Sequence, residues 1–416
     1  MIGKEKLHLA LNHRDGPVPV DFGATAITGI HCTIVEKLRE YYGLEKRPVT
    51  IQDPYQMLGV VDEDLRQALG VDVIGYPALY DLMGLRHNGD VQEWKTPWGQ
   101  DVLMPGDFRY EVKDGKVYSF PPQGENPPAS AVLPDSGCFF DAIVRQEEFD
   151  EEDLNPEDNL EEFGPLSEEN IAFLKKGAEA LAKTSYGVVG GPGGTGLGDI
   201  AMVPAVQLAA PKGIRDVEEW YVSTAIRRDY LHEVFSRQTE ISIQNLQTYK
   251  DIVGDLADVV NVCGTDFGTQ HSTFCSLDTF RELYFPYYKK INDWIHENTG
   301  WKTFKHSCGA VEPFIDSLLD CGFDILNPVQ WTAAGMDKEN LKQKYGSRLV
   351  FWGGGVDTQR VLPYGTAEEV YAQVTDCLKC FAPGGGYVFN TIHNTQAKTP
   401  VENFAAMVRA LRDFNR

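Results

Sequence analysis

Apolar residues recur along this chain in short runs that close on glycine or a polar side chain, and the stretches between them carry helical spacing. Eight such runs stand out: VPVDFG (18–23), VDVIGY (71–76), YGVVGG (186–191), DVVNVCG (258–264), KTFKHSC (302–308), DILNPVQ (324–330), LVFWGGG (349–355) and YVFNTIH (387–393). A brief β-branched run bounded by glycine suits a strand covered on both faces, and strands alternating with helices build a parallel sheet. Eight units of this kind predict an α/β fold of the (β/α)8, or TIM barrel, type.

The helical stretches agree. Residues 277–295 place Leu277, Phe280, Leu283, Tyr284, Tyr287, Tyr288, Ile291, Trp294 and Ile295 at near-helical spacing and predict one helix, stopped by Gly300. Thr366 with Glu369, and Thr399 with Pro400 and Glu402, predict two capped helix starts. Their apolar faces are Val370, Val374 and Leu378, then Phe404, Met407 and Leu411. Residues 90–140 interrupt the alternation with tryptophans, prolines and a KDGK turn between FRYEV and VYSF, which predicts a β-hairpin. The expected organisation is one barrel domain over 1–416, with an insertion at about 86–165 forming a hairpin lobe or lid.

Composition narrows the function. A net charge of −23 with a pI near 4.8 argues against nucleic-acid binding, since a polyphosphate is repelled. Part of the excess is local, in RQEEFDEEDLNPEDNLEEF (145–163), expected as a solvated loop or linker. No apolar run reaches the ~18 residues of a membrane span and no secretion signal opens the chain, so a cytoplasmic protein is expected. Eight scattered cysteines are expected as reduced thiols, with the Cys377-x-x-Cys380 pair as core or face positions of a helix.

In a (β/α)8 barrel, chemistry sits at the C-terminal ends of the strands. Here those ends are polar: Asp21; Asp266 and Gln270; His306 and Cys308; Asn327 and Gln330; Asp357 and Gln359; Asn390, His393 and Asn394. Strand residues two apart face the same side, so His306 and Cys308 present a nitrogen and a sulfur to one point. Three readings follow: a zinc site with His393 as third ligand and one open position, a cysteine nucleophile with its base, or a buried thiol beside a hydrogen-bonded histidine. GPGGTG (191–196) matches a dinucleotide-binding pattern, but the following residues offer neither the helix nor the second strand such a fold needs, so it is expected as a loop.

The stretches GTDFGTQHS, HSCGAVEPFIDSLLDCGFDILNPVQ, FWGGGVDTQ and TPVENFAAMVRAL resemble the uroporphyrinogen decarboxylase superfamily, and within it the cobalamin-dependent methyltransferase branch. The likeness runs from about residue 250 to the end, and more loosely over DFGATAITGI. The resemblance implies a (β/α)8 barrel and a Zn2+ site built from an H-x-C pair plus a cysteine ahead of a Thr-Pro helix start. His306 and Cys308 match the pair; counting back from Thr399-Pro400 puts His393 where that branch carries cysteine. The arginine-rich RQAGR motif of the decarboxylases is absent, since residues 13–30 read HRDGPVPVDFGATAITGI.

The implied activity is zinc-dependent transfer of a methyl group from a small donor to the Co(I) corrinoid of a separate corrinoid protein. An O-methyl donor comes first, with methoxylated aromatics among the candidates. Asp266 and Gln270 are the expected catalytic residues; Asn327, Gln330, Trp331, Trp352 and Asp357 are the expected substrate pocket. Competing expectations are a decarboxylase-like lyase, a methylcobalamin:thiol methyltransferase running in the opposite direction, and a metal-binding protein without catalysis. The oligomeric state stays open, a homodimer included.

Overall fold

Seven parallel strands form one curled sheet in the computed structural model, which describes residues 1–76 and 78–416. In order they are Val73–Gly75, Gly187–Gly190, Val259–Cys263, Lys302–His306, Ile325–Asn327, Val350–Trp352 and Tyr387–Val388, each paired with the next in sequence. The first run reaches both edges: Val20 bridges Phe389 and Asp21 bridges Val73, each in parallel. Every run read from the sequence therefore contributes to this sheet, whose curl is that of a TIM-like barrel. Its interior is filled by Val73, Val189, Val259, Phe304, Ile325, Val350, Trp352 and Val388, with Leu7, Ala10 and Leu11 of the Gly3–Leu11 helix against them. No helix among the described residues is long and apolar enough to cross a membrane.

The helix expected over 277–295 is two, Leu277–Leu283 and Phe285–Asn298, divided at Tyr284. Pro286 explains the break: it lacks an N–H and its ring crowds the preceding turn, so it is tolerated only where a helix begins. Thr366 and Glu369 do form a capping box. Thr399 does not cap its helix. Pro400 occupies the cap position of Val401–Phe414, and its carbonyl accepts the N–H groups of Asn403 and Phe404.

The hairpin Arg109–Lys113 with Lys116–Phe120 turns at Asp114 and Gly115, both at positive φ as a two-residue turn requires. It belongs to a four-stranded sheet with Ala131–Leu133 and Asp141–Ala142. Its neighbours Val91–Lys95 and Asp101–Pro105 join a different sheet, where Asp101–Pro105 pairs with Val49–Asp53 from ahead of the first paired barrel strand. Alternation along a strand marks a half-buried face but leaves the pairing partner unnamed.

The acidic stretch is not a free linker. Buried Arg215 pairs with Glu162 at 2.8 Å and donates to the carbonyls of Lys212 and Asp158, while Arg227 pairs with Glu151. Counting charges exposes the carboxylates but not the arginines, which lie 53 and 76 residues away in sequence.

Candidate metal centre

Phe304 points into the barrel, so strand alternation aims His306 the same way, toward the mouth. Thr303 and Lys305 take the opposite side. Beyond the strand, the Cys308 N–H donates to Asp266 Oδ1 at 2.6 Å, and the Phe267 N–H donates to Ser307 Oγ at 2.8 Å. These bonds stitch the loop after Val259–Cys263 to the end of Lys302–His306. Gly309 permits the contact: its φ is +85°, and a Cβ there would lie 2.4 Å from the backbone of Gly268. The last strand run delivers His393, whose carbonyl accepts the Thr391 hydroxyl.

His306, Cys308 and His393 come together with their donor atoms all within 4.8 Å of one another. The two imidazole rings are 5.5 Å apart, centroid to centroid, at 71°. His306 Nδ1 meets Asn327 Oδ1 at 2.6 Å, and Asn327 Nδ2 donates to the Trp352 carbonyl at 2.9 Å. The second bond fixes which end of the amide faces the histidine. Nδ1 must then carry the hydrogen, which leaves the Nε2 lone pair directed at Cys308 Sγ, 3.4 Å away.

Charge follows burial. Desolvation holds His306 below the ordinary histidine range, and desolvation with the neighbouring His306 brings His393 down to about 4, so both rings are neutral donors near pH 7. Burial and the adjacent Asp266 carboxylate push the Cys308 thiol well up. A thiol with two neutral imidazoles is a zinc donor set. Zn–S near 2.3 Å and Zn–N near 2.0 Å at a tetrahedral angle separate sulfur and nitrogen by about 3.5 Å, against the 3.4 Å seen between Cys308 and His306.

Cys308, His306 and Asn327 also have the order of a thiol, its base and the group orienting the base. Two features speak against a nucleophile. Such cysteines have lowered pKa values, whereas this one is raised, and His393 has no part in that constellation.

Of the other expected site residues, Asp266 Oδ1 stands 3.8 Å from His306 Nε2. Gln270 is exposed, and its carbonyl accepts the Ala334 N–H. Gln330 is buried and accepts the Gly309 N–H at 2.8 Å; Trp331 is half-buried and donates to the Gly354 carbonyl. Trp352 is fully buried inside the barrel against Phe304 and donates to Asp21 Oδ2 at 2.9 Å. Asp357 accepts the N–H groups of Gln359 and Arg360 and so turns back on its own backbone. The glycine-rich loop GPGGTG contains no helix start at 191–196, in keeping with the sequence reading.

Asn327 has an expected effect of its own. Asn327→Leu removes the acceptor that sets the His306 tautomer, and zinc affinity measured by chelator competition should fall roughly 10- to 100-fold without loss of fold.

Fold and mouth together define a TIM-like barrel that gathers one thiol and two imidazoles at the C-terminal ends of its strands. Residues 151–414 match the family described as Uroporphyrinogen decarboxylase (URO-D), and the chain belongs to that family. The uroporphyrinogen decarboxylases of Coxiella burnetii strains Dugway 5J108-111 and RSA 493 / Nine Mile phase I are each 29% identical to it over 102 residues, 24% of this chain and 26% of theirs. The match thus spans about a quarter of the length of those relatives. A solved methyltransferase from Methanosarcina mazei shares the fold across 100% of both chains, with a TM-score of 0.54 and 15% identity.

Proposed function

We propose that the chain is a zinc-dependent methyltransferase of the corrinoid-dependent branch of its family, moving a methyl group from a small O-methyl donor to the Co(I) corrinoid of a separate protein. The observation that carries this reading is the convergence of His306, Cys308 and His393 at the barrel mouth. Zinc held by these three would bear about one net positive charge and supply Lewis acidity toward an ether or alcohol oxygen. Asn327 keeps the His306 donor aimed, burial keeps both imidazoles unprotonated, and Asp266 braces the Cys308 backbone.

The charges at the mouth favour methyl transfer over decarboxylation. A polycarboxylated tetrapyrrole needs fixed cations. The carboxylates of Asp199 and Asp266 interact at this end of the barrel, and Lys305, the nearby cation, is fully buried. Its Nζ is spent on the carbonyls of Thr265 and His306, each at 2.5 Å.

The test is a donor screen. Purified protein should carry about one zinc per chain, and incubation with a Co(I) corrinoid protein and a panel including methanol and 2-methoxyphenol should change the cobalt absorbance for at least one donor. Bound zinc with no donor methylating cobalt would overturn the reading in favour of a non-catalytic metal protein. The nucleophile alternative has a separate signature: rapid iodoacetamide labelling of Cys308 at pH 7, unaffected by zinc.

A further inference from the structure

The four-stranded sheet within residues 109–142 ends on an open strand. One of its edges, Asp141–Ala142, is two residues long; the other, Arg109–Lys113, is five, and among the described residues nothing pairs with its far side. Proteins blunt a long edge with a proline, a bulge or a charge pointing inward. Arg109–Lys113 has none of these: it reads RYEVK, its register with Lys116–Phe120 is unbroken, and its charges alternate with Tyr110 and Val112.

The hydrogen-bond phase decides what this edge offers. Lys113 and Lys116 flank the two-residue turn and form its closing hydrogen-bonded pair, and Glu111 and Arg109 follow at every second position. Tyr110 and Val112 therefore turn their N–H and C=O groups outward. The neighbouring strand agrees, since Ser119, opposite Tyr110, directs its carbonyl away to the Ser130 N–H at 2.9 Å. Among the described residues the four outward groups of Tyr110 and Val112 have no partner. The side chains repeat the pattern. On the inner face the rows Val112, Val117, Leu133 and Tyr110, Ser119, Ala131 cross the sheet. Val117, Leu133, Ser119 and Ala131 are buried, yet Val112 is 63% and Tyr110 44% exposed.

A second copy of the same strand fits this edge, and charge selects its register. Antiparallel pairing about a two-fold axis through Glu111 would set Glu111 against itself and Arg109 against Lys113, like charges throughout. An axis through Val112 runs off the strand, because Asp114 and Gly115 turn at positive φ and would have to lie opposite Tyr110 and Arg109. An axis through Tyr110 sets Arg109 against Glu111 on both sides of the centre. It also lays Val112 opposite Phe108, whose ring stacks on Tyr110 at 5.4 Å. Polar side chains then meet on one face and apolar side chains on the other.

We propose that two copies of the chain associate through Arg109–Lys113, with the two-fold axis at Tyr110 and reciprocal bonds between the Tyr110 N–H and C=O groups. Two four-stranded sheets become one of eight strands, and the inner apolar rows run on from one copy into the other. The metal ligands take no part in this contact.

Sedimentation equilibrium of the full-length protein tests the contact. Dimer should predominate at about 100 µM, as suits a small interface. Glu111→Arg places like charges across the axis and should raise the dimer Kd about tenfold. Combining Arg109→Glu with Glu111→Arg restores opposite charges and should recover the parental Kd. Val112→Lys, which puts a charge at the end of an apolar row, should leave monomer at the same concentration. A combined variant that stays as weak as Glu111→Arg alone would overturn the register. A parent that remains monomeric, or a dimer indifferent to all of these substitutions, would overturn the interface itself.

Discussion

Cys308→Ser is expected to lose its grip on zinc, while its metal-free barrel stays as stable as that of the metal-free parent. The structural bonds at this position belong to the backbone: the Cys308 N–H meets Asp266, and the Gly309 N–H meets Gln330. Serine keeps both. The sulfur lies 3.4 Å from His306 Nε2 and beside the Asp266 carboxylate, both of which a serine hydroxyl can also meet, so the exchange opens little space. Coordination is another matter. Zinc sites in small peptides bind with ~10–16 kcal/mol, or roughly 3 kcal/mol for each of four ligands, and a hydroxyl is a poor replacement for a thiolate. The apparent Kd for zinc should rise roughly 100- to 1000-fold, read by competition against a chromophoric chelator, while the metal-free parent and variant share one unfolding midpoint. Retention of zinc at parental affinity would remove Cys308 from the centre; a large drop in the midpoint of the metal-free variant would instead make the thiol a packing residue.

Much of the barrel is legible because its signal is local. Each strand run is short, β-branched and bounded by glycine, and each appears in the sheet or bridges its edges. The H-x-C pair is legible for the same reason: strand alternation fixes the side on which residues two apart emerge, and Phe304 confirms that this side is the interior. Where sequence reading falls short, the deciding contact is remote. Trp352 has the residue type of a pocket wall, yet Phe304 and Asp21 hold it inside the barrel. Asn327 is polar at a strand end and so suggests substrate, while its amide is committed on one side to His306 and on the other to Trp352. Gln270 lies four residues beyond Asp266 in sequence, but the bridge between Gly268 and Thr273 turns the loop and leaves it exposed. The bond count of each side chain, invisible in sequence, separates groups that support the site from groups left free to receive a ligand.

The pH dependence of zinc uptake counts protons at the centre. Coordination needs a thiolate and two neutral imidazoles, so every ligand still protonated in the free protein releases a proton on binding. His393 is held down to about 4 and His306 also lies below its ordinary range, both chiefly by burial, so from pH 7 to 8 neither should have a proton to lose. Cys308 is displaced the other way: burial and Asp266 keep it protonated throughout that window. One proton should therefore leave per zinc bound, and the apparent affinity should rise about tenfold from pH 7 to pH 8. Chelator competition at several pH values, corrected for the chelator's own protonation, gives the slope directly. Ordinary histidines near pKa 6.5 would steepen the acid end of the plot toward three protons. A slope near zero would mean that the thiol is not a ligand, whereas a slope of one ties the raised thiol and the lowered imidazoles to a single buried cation site.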